Sequence, residues 1–535
     1  MPRSYTVKAR VVPTEPGLSV ARFTGLAPRR GNVGLALSGG GSRSASACMG
    51  VCRALSAMGH LGSLRAISSV SGGSWFAVAY TYLPERFALD TFLGGLVDDP
   101  SALRLCSGPG PEQLLDLDAG NFGAPLTKAA MDLAHILGDA VSDRLSGVPP
   151  HRLWTRQVGE DLLAHFDLAS FTDEHLPAEF FAADAAMGER IAAENPKLPQ
   201  RFHAVRRDPE TRRAFLIVNG AMCVDDERGD KSLAPVQFTP LFSGVMGRGA
   251  GSLSGRPVGG GGISSHAFGG EWVLGEGETI EVLQVNPLGL SDIAGISSAA
   301  HADSLMERSI EALSPQLIYF SPSWKRPAGT AARFVDAGSL ENTGVANLFA
   351  YEDIDKVIAV VNGPIGVTVR DDGGVVLDRQ VAALFGRQTF EAGRGYPPFF
   401  DSRGERVPGE GVHDYADNQV FSDAKGEFHQ LLRAMSKRVK DGAPTAVHQR
   451  LELVDNQRFA VRGGRQVEVL WIIQSETPQW EAKLQPAVRA ALPPKFPNIT
   501  TARTGLPARD VSLLAHHSSW VTMRQRAVLD AMFED

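Results

Sequence analysis

Two short stretches combine hydroxyls and closely spaced glycines in a way that could support attack on a carbonyl: Ser38-Gly-Gly-Gly-Ser-Arg43 and Ser69-Val-Ser-Gly-Gly-Ser-Trp75. A serine hydroxyl is a poor nucleophile until a base takes its proton and donors hold the oxyanion that forms. Ser71 follows an apolar run, precedes a helical one, and has the small neighbours Ser69, Gly72 and Gly73. A nucleophile elbow needs such neighbours, because its strand-to-helix turn is too sharp for bulky ones. The elbow pattern G-x-S-x-G is met here except at its first position, which is Ser69. A plain helix cap built from serine and glycine fits the same stretch. Gly39, Gly40 and Gly41 expose successive backbone N–H groups ahead of a helix, an arrangement suited to an oxyanion or a phosphate. A P-loop would require G-x-x-x-x-G-K-[ST], and the lysine and following hydroxyl are missing. Arg43 falls in the first helical turn, where the dipole disfavours a cation, so it reads either as a partner for an anionic ligand or as a surface arginine.

A base is also required. None of the 13 histidines is singled out by its setting, neither His301 nor the pair His516-His517. Arg333-Phe-Val-Asp336-Ala-Gly338 places an aspartate at the end of an apolar strand, where it could serve as a base or simply form the turn.

These residues need elements that bring them together. Val33 to Leu37 reads as a buried parallel strand, followed by the glycine turn and a small-residue helix over 44–58 that closes at Gly59. A second strand over 64–70 and a helix over 74–82 repeat the unit, which is an α/β signature. Both turns then emerge at the carboxyl edge of one sheet, where open α/β sheets bind ligands. Residues 84–213 read as a helical insertion or cap without a strand ladder. The sheet resumes at Phe215 to Val218, with Asn219-Gly220 as a turn signal. The glycine-rich stretch 247–270 reads as a mobile loop or as a linker between independent domains. Further on come a small-residue helix at 293–300, strands at 333–335, 356–361 and 467–473, and an irregular insertion over 364–425. Three aromatics in Gly395-Tyr-Pro-Pro-Phe-Phe400 either pack on the core or dip into an interface. Residues 1–32 read as an N-terminal arm, and length alone leaves 33–535 as one large domain with insertions or as two to three average ones.

The totals narrow the function classes. A hydrophobic content of 43% with 21% charged residues is globular composition, and the net charge of -7 argues against nucleic-acid binding and against purely electrostatic attachment to anionic membrane. Cys48, Cys52, Cys106 and Cys223 are too few for a disulfide framework, and Cys48 and Cys52, one helical turn apart, read as buried thiols, with a metal or redox role as the alternative. There is no apolar signal segment at the start and no run of 18 apolar residues, which predicts a reducing, cytoplasmic setting. Richness in alanine, arginine and glycine suggests a GC-rich bacterial source, for which export as an effector without a signal peptide is an alternative.

Ser38-Gly-Gly-Gly-Ser-Arg43 followed by Ser69-Val-Ser71-Gly-Gly-Ser-Trp75 resembles the cytosolic phospholipase A2 group and, more broadly, the patatin-like hydrolases. Pro235 to Pro240 and Ile296 to Ala300 are similar to further blocks of that family. The resemblance implies a three-layer α/β sandwich around a central, mostly parallel sheet with helical insertions. It implies a Ser/Asp dyad with Ser71 as nucleophile and Asp336 as base, Gly39, Gly40 and Gly41 as the oxyanion turn, and Arg43 on a substrate phosphate. The implied activity is lipid acyl hydrolysis of phospholipase A or lysophospholipase type through an acyl-enzyme. Neither cofactor nor metal is implied, and the substrate is membrane or micellar lipid met during peripheral association. An acyltransferase on the same scaffold and a non-catalytic lipid-binding protein are the alternatives, and an activating protein partner is left open. The 32 leading residues are too few for a C2-type β-sandwich of roughly 100 residues, so calcium-driven docking is not implied.

Overall fold

The computed structural model describes residues 4–15, 17–25, 32–128, 148–207, 212–285, 287–300, 313–409, 413–500 and 504–534. In chain order the strands are β1 (Tyr5–Pro13), β2 (Val33–Leu37), β3 (Ala66–Ser69), β4 (Phe215–Asp225), β5 (Lys231–Phe238), β6 (Phe242–Val245) and β7 (Gly261–Ser264). They continue with β8 (Glu271–Leu274), β9 (Thr279–Gln284), β10 (Gln316–Tyr319), β11 (Thr330–Asp336), β12 (Lys356–Val361), β13 (Ala446–Glu452) and β14 (Gln466–Ile473). The longer helices are α1 (Gly41–Ala57), α2 (Gly72–Tyr82), α3 (Ala185–Glu194), α4 (Leu290–Ser297), α5 (Glu427–Lys440), α6 (Ala508–Met523) and α7 (Arg526–Phe533).

Twelve of these strands follow one another through one mixed sheet in the order β8-β9-β1-β7-β6-β5-β4-β3-β2-β12-β14-β13, and β11, paired with β10, joins β4 off that path. Its centre, β4-β3-β2-β12-β14, is parallel throughout. Strands buried on both faces must be apolar at successive positions, as Val33-Gly-Leu-Ala-Leu37 and Val357-Ile-Ala-Val-Val361 are. Alternate residues go to opposite layers. Leu35, Leu37, Ile67, Ile358 and Val360 pack in one core with α1, α2, α4 and α6. Ala36, Ala66, Val357, Ala359 and Val361 pack in a second core with α5 and the short helix Val345–Phe349. Helices therefore cover both faces of the sheet, the three-layer α/β sandwich expected. The small residues of α1 serve the first layer directly: a Cβ at Gly50 would lie 2.1 Å from the Ala515 carbonyl oxygen of α6.

Several segments differ from the sequence reading. Residues 5–13 of the expected arm are β1, which pairs antiparallel with β9 and β7 inside the sheet; the Pro28-Arg-Arg-Gly31 end lies outside the described residues. The 84–213 insertion contains a short parallel ladder, Phe180–Ala182 with Phe202–Ala204, beside its helices. Asn219-Gly220 is no turn: β4 runs straight through it to Asp225. Glycine is required there by neighbours remote in sequence, since a Cβ would lie 2.8 Å from Phe238 and 3.0 Å from Ile296. The 247–270 stretch is not one loose loop either. It forms a two-residue hairpin, Ser252–Leu253 with Arg256–Pro257, and then β7, paired on both sides. Its glycines permit close strand approach: a Cβ at Gly262 would meet the Ser243 carbonyl oxygen at 2.6 Å, and one at Gly261 the Val12 carbonyl oxygen at 2.5 Å. Cys48 and Cys52 are buried, but Cys106 is exposed and Cys223 half-buried. In the aromatic loop Phe399 is buried and Tyr396 packs on the core, while Phe400 is exposed.

Candidate active site

The register of β4 brings the sequence-distant residues together. β3 pairs with β4 through Ser69↔Val218 and then ends. β11 continues along the same edge of β4 from the opposite direction and ends with Asp336↔Gly220. Val218 and Gly220 are two residues apart on one strand, so the turn after β3 and the last residue of β11 converge. Ser71 Oγ donates a hydrogen bond of 2.8 Å to Asp336 Oδ2, with Ser71 8% and Asp336 6% exposed. The Gly338 N–H donates to Asp336 Oδ1 at 2.6 Å, leaving Oδ2 to the serine.

Ser71 adopts φ 51° and ψ -124°, a left-handed backbone uncommon for a residue with a side chain. Such strain persists only where the surroundings over-determine it. Here they do. The Ser71 N–H donates to the carbonyl oxygen of Ser297 at 3.1 Å and to its hydroxyl at 2.9 Å. Ser74 Oγ lies 2.8 Å from Ser297 Oγ, and Trp75 Nε1 donates to Ser298 Oγ at 2.9 Å. The C-terminal end of α4 thus clamps the elbow. From the other side Asn219 Nδ2 donates to Ser68 Oγ at 2.8 Å and to the Ser69 carbonyl at 2.9 Å. The glycines after Ser71 are steric necessities: a Cβ on Gly72 would lie 2.1 Å from the Gly41 carbonyl oxygen, and one on Gly73 2.5 Å from that of Leu37.

The triple-glycine turn lies against the same elbow, and a Cβ on Gly39 would be 2.9 Å from Ser71 Cβ. Its three N–H groups are not equivalent. Gly39 N–H already donates to the Asn342 carbonyl oxygen and to Asn342 Oδ1, both at 3.1 Å, which corrects the expectation that all three face an oxyanion. The N–H groups of Gly40 and Gly41 have no acceptor among the described residues. Gly40 at φ 143° and Gly41 at φ 58° hold backbone conformations that favour glycine. The Gly72 N–H, at the first position of α2, likewise has no acceptor among the described residues.

Arg43 is placed differently from the expected phosphate contact. It is 1% exposed, and its guanidinium donates to the Asn362 carbonyl oxygen through Nη2 at 2.7 Å and Nε at 3.1 Å, and through Nη1 to the Ile499 carbonyl oxygen. Burial lowers its pKa to about 10, opposed by the nearby Asp378 carboxylate. Burial in turn raises the Asp378 pKa. Arg43 therefore braces the back of the glycine turn, where a Cβ on Gly40 would come within 2.5 Å of Nη2.

Three contributors escape the sequence reading. Asn342, six residues past Asp336, receives Gly39; Gln380 accepts from the Asn342 N–H at 2.5 Å and donates to the Gly338 carbonyl at 2.6 Å; Ser297 holds the elbow. Asn342 lies 303 residues from Gly39, so no local pattern links them. Among the described residues no group of three or more His, Cys, Asp or Glu side chains is arranged to hold a metal ion. His516 and His517 are buried on α6, and His301 lies outside the described residues.

No protein-family model matches the chain, and no curated protein matches it. Among solved structures it is similar to human GIVD cytosolic phospholipase A2, at 12% identity and a TM-score of 0.43 over 96% of this chain and 62% of that one. The same human enzyme in complex with methyl gamma-linolenyl fluorophosphonate is matched at 13% identity and a TM-score of 0.41, over 96% of this chain and 61% of that one. The chain spans about three fifths of the length of these structures. At this identity and TM-score the likeness carries neither substrate nor site residues over to this chain.

Proposed function

We propose that the chain is a lipid acyl hydrolase of phospholipase A or lysophospholipase type, acting through a Ser71 acyl-enzyme with Asp336 as base. The observation that carries this reading is the 2.8 Å hydrogen bond from Ser71 Oγ to Asp336 Oδ2, on a strained elbow beside unused N–H donors. Asp336 takes the Ser71 proton as Oγ attacks the ester carbonyl, and the oxyanion is held by the Gly40 and Gly41 N–H groups with Gly72 as a third donor. Collapse of the tetrahedral intermediate expels the alcohol, which takes the proton from Asp336. Water then gives its proton to Asp336 and attacks the acyl-enzyme; the carboxylic acid leaves and Ser71 is reprotonated. The lipid class of the ester rests on the resemblance of the two glycine-serine blocks to phospholipase motifs. No helix among the described residues is long and apolar enough to cross a membrane, and lipid would be met by peripheral association.

The test uses phospholipid vesicles and a soluble short-chain ester. Ser71→Ala and Asp336→Ala should each lose at least about a thousandfold in kcat/KM, or roughly 4 kcal/mol of transition-state stabilisation, while retaining a cooperative melt. Retention of full activity by either variant sinks the dyad. Release of labelled free fatty acid supports the hydrolase; transfer of the label chiefly to an added alcohol or lysolipid overturns hydrolysis in favour of acyl transfer.

A further inference from the structure

A second concave site lies between the 364–425 insertion and α5, a cavity of about 740 Å³ lined by no residue of the dyad or of the glycine turn. That volume is in the range of small-molecule sites. Its composition departs from that of the chain. Five of its lining residues are Arg or Lys and two are Asp, although the chain as a whole carries a net charge of -7.

Arg387 and Asp423 neutralise each other, with Arg387 Nε donating to Asp423 Oδ2 at 2.8 Å. Arg394 pairs with Glu391 at 2.6 Å. Arg433, Lys437 and Lys440 on α5 are exposed, form no ion pair among the described residues, and all line the cavity. Their spacing of i, i+4 and i+7 aligns them on one helix face, while Phe428, Leu431 and Met435 bury the other. Beside this cationic row lies an aromatic wall. Tyr396 packs edge-on against Phe390 with ring centroids 5.4 Å apart, and against Phe428 at 4.9 Å. Three like charges along one helix face repel one another unless an anion is present, and a phosphate dianion with three acceptor oxygens suits several of them at once.

We propose that this groove binds a phosphate monoester, its dianion held by Arg433, Lys437 and Lys440 and its apolar body against Phe390 and Tyr396. The proposal stands independently of the hydrolase reading, because none of these residues belongs to that machinery. The phosphate could be that of a soluble phosphorylated compound or the headgroup of a lipid such as phosphatidic acid, and the chemistry recognised is the same.

The experiment measures binding of the full chain to phenyl phosphate by calorimetry. In parallel it measures co-sedimentation with phosphatidylcholine vesicles with and without phosphatidic acid. The Arg433→Glu/Lys437→Glu variant should lose at least about tenfold in affinity for whichever probe binds, whereas Arg438→Glu, on the same helix but outside the cavity, should change it by less than about twofold. Arg433→Gln/Lys437→Gln repeats the test if charge reversal disturbs folding. Binding of phenyl phosphate alone assigns a soluble ligand, and binding of phosphatidic acid vesicles alone assigns a lipid headgroup; each supports the site. Binding of neither probe overturns the proposal, as does equal loss in Arg438→Glu. Displacement of phenyl phosphate by polyglutamate at equal or lower concentration overturns it in favour of an acidic protein partner. Hydrolysis of a soluble short-chain ester should be unchanged in these variants, so failure of the phosphate site and failure of the dyad are read separately.

Discussion

At Ser71 geometry and chemistry conflict with local preference. The φ of 51° costs on the order of 1–3 kcal/mol for a residue with a Cβ, and glycine would adopt it freely. Ser71→Ala and Ser71→Gly both remove the hydroxyl, so the difference between them isolates the backbone. We expect Ser71→Gly to be more stable than Ser71→Ala by about 1 kcal/mol in urea denaturation, the strain relief being partly offset by the greater freedom of glycine in the unfolded chain. A second expectation concerns Asn342, whose Oδ1 sits between Gly39 and the turn that carries Asp336. Asn342→Asp would place a like charge near the base and disfavour its ionised form, so the acidic limb of the kcat/KM profile should move to higher pH. An unmoved limb would show that Asn342 does not act on the electrostatics of the base.

Among the elements, the site depends on three that meet at the end of β3: β11, α4 and the loop after β2. The loop after β2 meets the turn after β11 where the Gly39 N–H donates to the Asn342 carbonyl oxygen and Oδ1, and α4 meets the elbow through Ser297. Gln380, in the short helix Arg379–Ala383, bridges the Gly338 carbonyl and the Asn342 N–H, and it also donates to Tyr415 at 3.2 Å. The irregular insertion therefore reaches into the turn that carries the proposed base. Gln380→Leu should lower kcat by about tenfold with KM within about twofold, because misplacing the base affects the transition state more than ground-state binding. A rise in KM with kcat intact would instead make Gln380 part of substrate binding. Gly72→Ala forces a Cβ to 2.1 Å from a backbone oxygen, so the elbow and the glycine turn must separate; it should lower stability and activity together.

Viewed as a whole, the molecule buries ionisable groups in the layer formed by α1 and α6, and their titration gives it a pH signature. Burial lowers the His517 pKa to about 3 and takes His516 well below its ordinary value, where the Arg53 charge adds to the effect. A histidine that stays neutral when folded but protonates when unfolded contributes stability that is complete above pH about 6.5 and is lost as pH falls toward the folded value. The urea midpoint should therefore fall steadily below about pH 6.5, and His517→Gln should flatten that slope. The thiols make an independent check on the same layer. Burial pushes Cys48 up to about 12 and raises Cys52 well above its ordinary value, so neither presents a thiolate, whereas Cys106 is exposed. An aromatic disulfide reagent should label Cys106 first in the native protein and reach Cys48 and Cys52 only on unfolding. Rapid labelling of Cys48 would mean that the α1–α6 layer opens.

What the sequence by itself determined was local and periodic. The continuous apolar runs of β2, β12 and β14 can be satisfied only by burial on both faces. Small residues around Ser71 permit a sharp elbow, and three successive glycines permit a donor-rich turn. Tertiary structure decided which atoms those motifs meet. Gly39 N–H goes to Asn342, and Arg43 turns inward to the Asn362 and Ile499 carbonyls. Gly220 is glycine because Phe238 and Ile296 crowd it, not because the chain turns there. These outcomes depend on register and on close approaches between segments distant in sequence, as in the 265 residues between Ser71 and Asp336. Local patterning carries no record of such approaches; the alignment of β3 and β11 along one edge of β4 creates the one between Ser71 and Asp336.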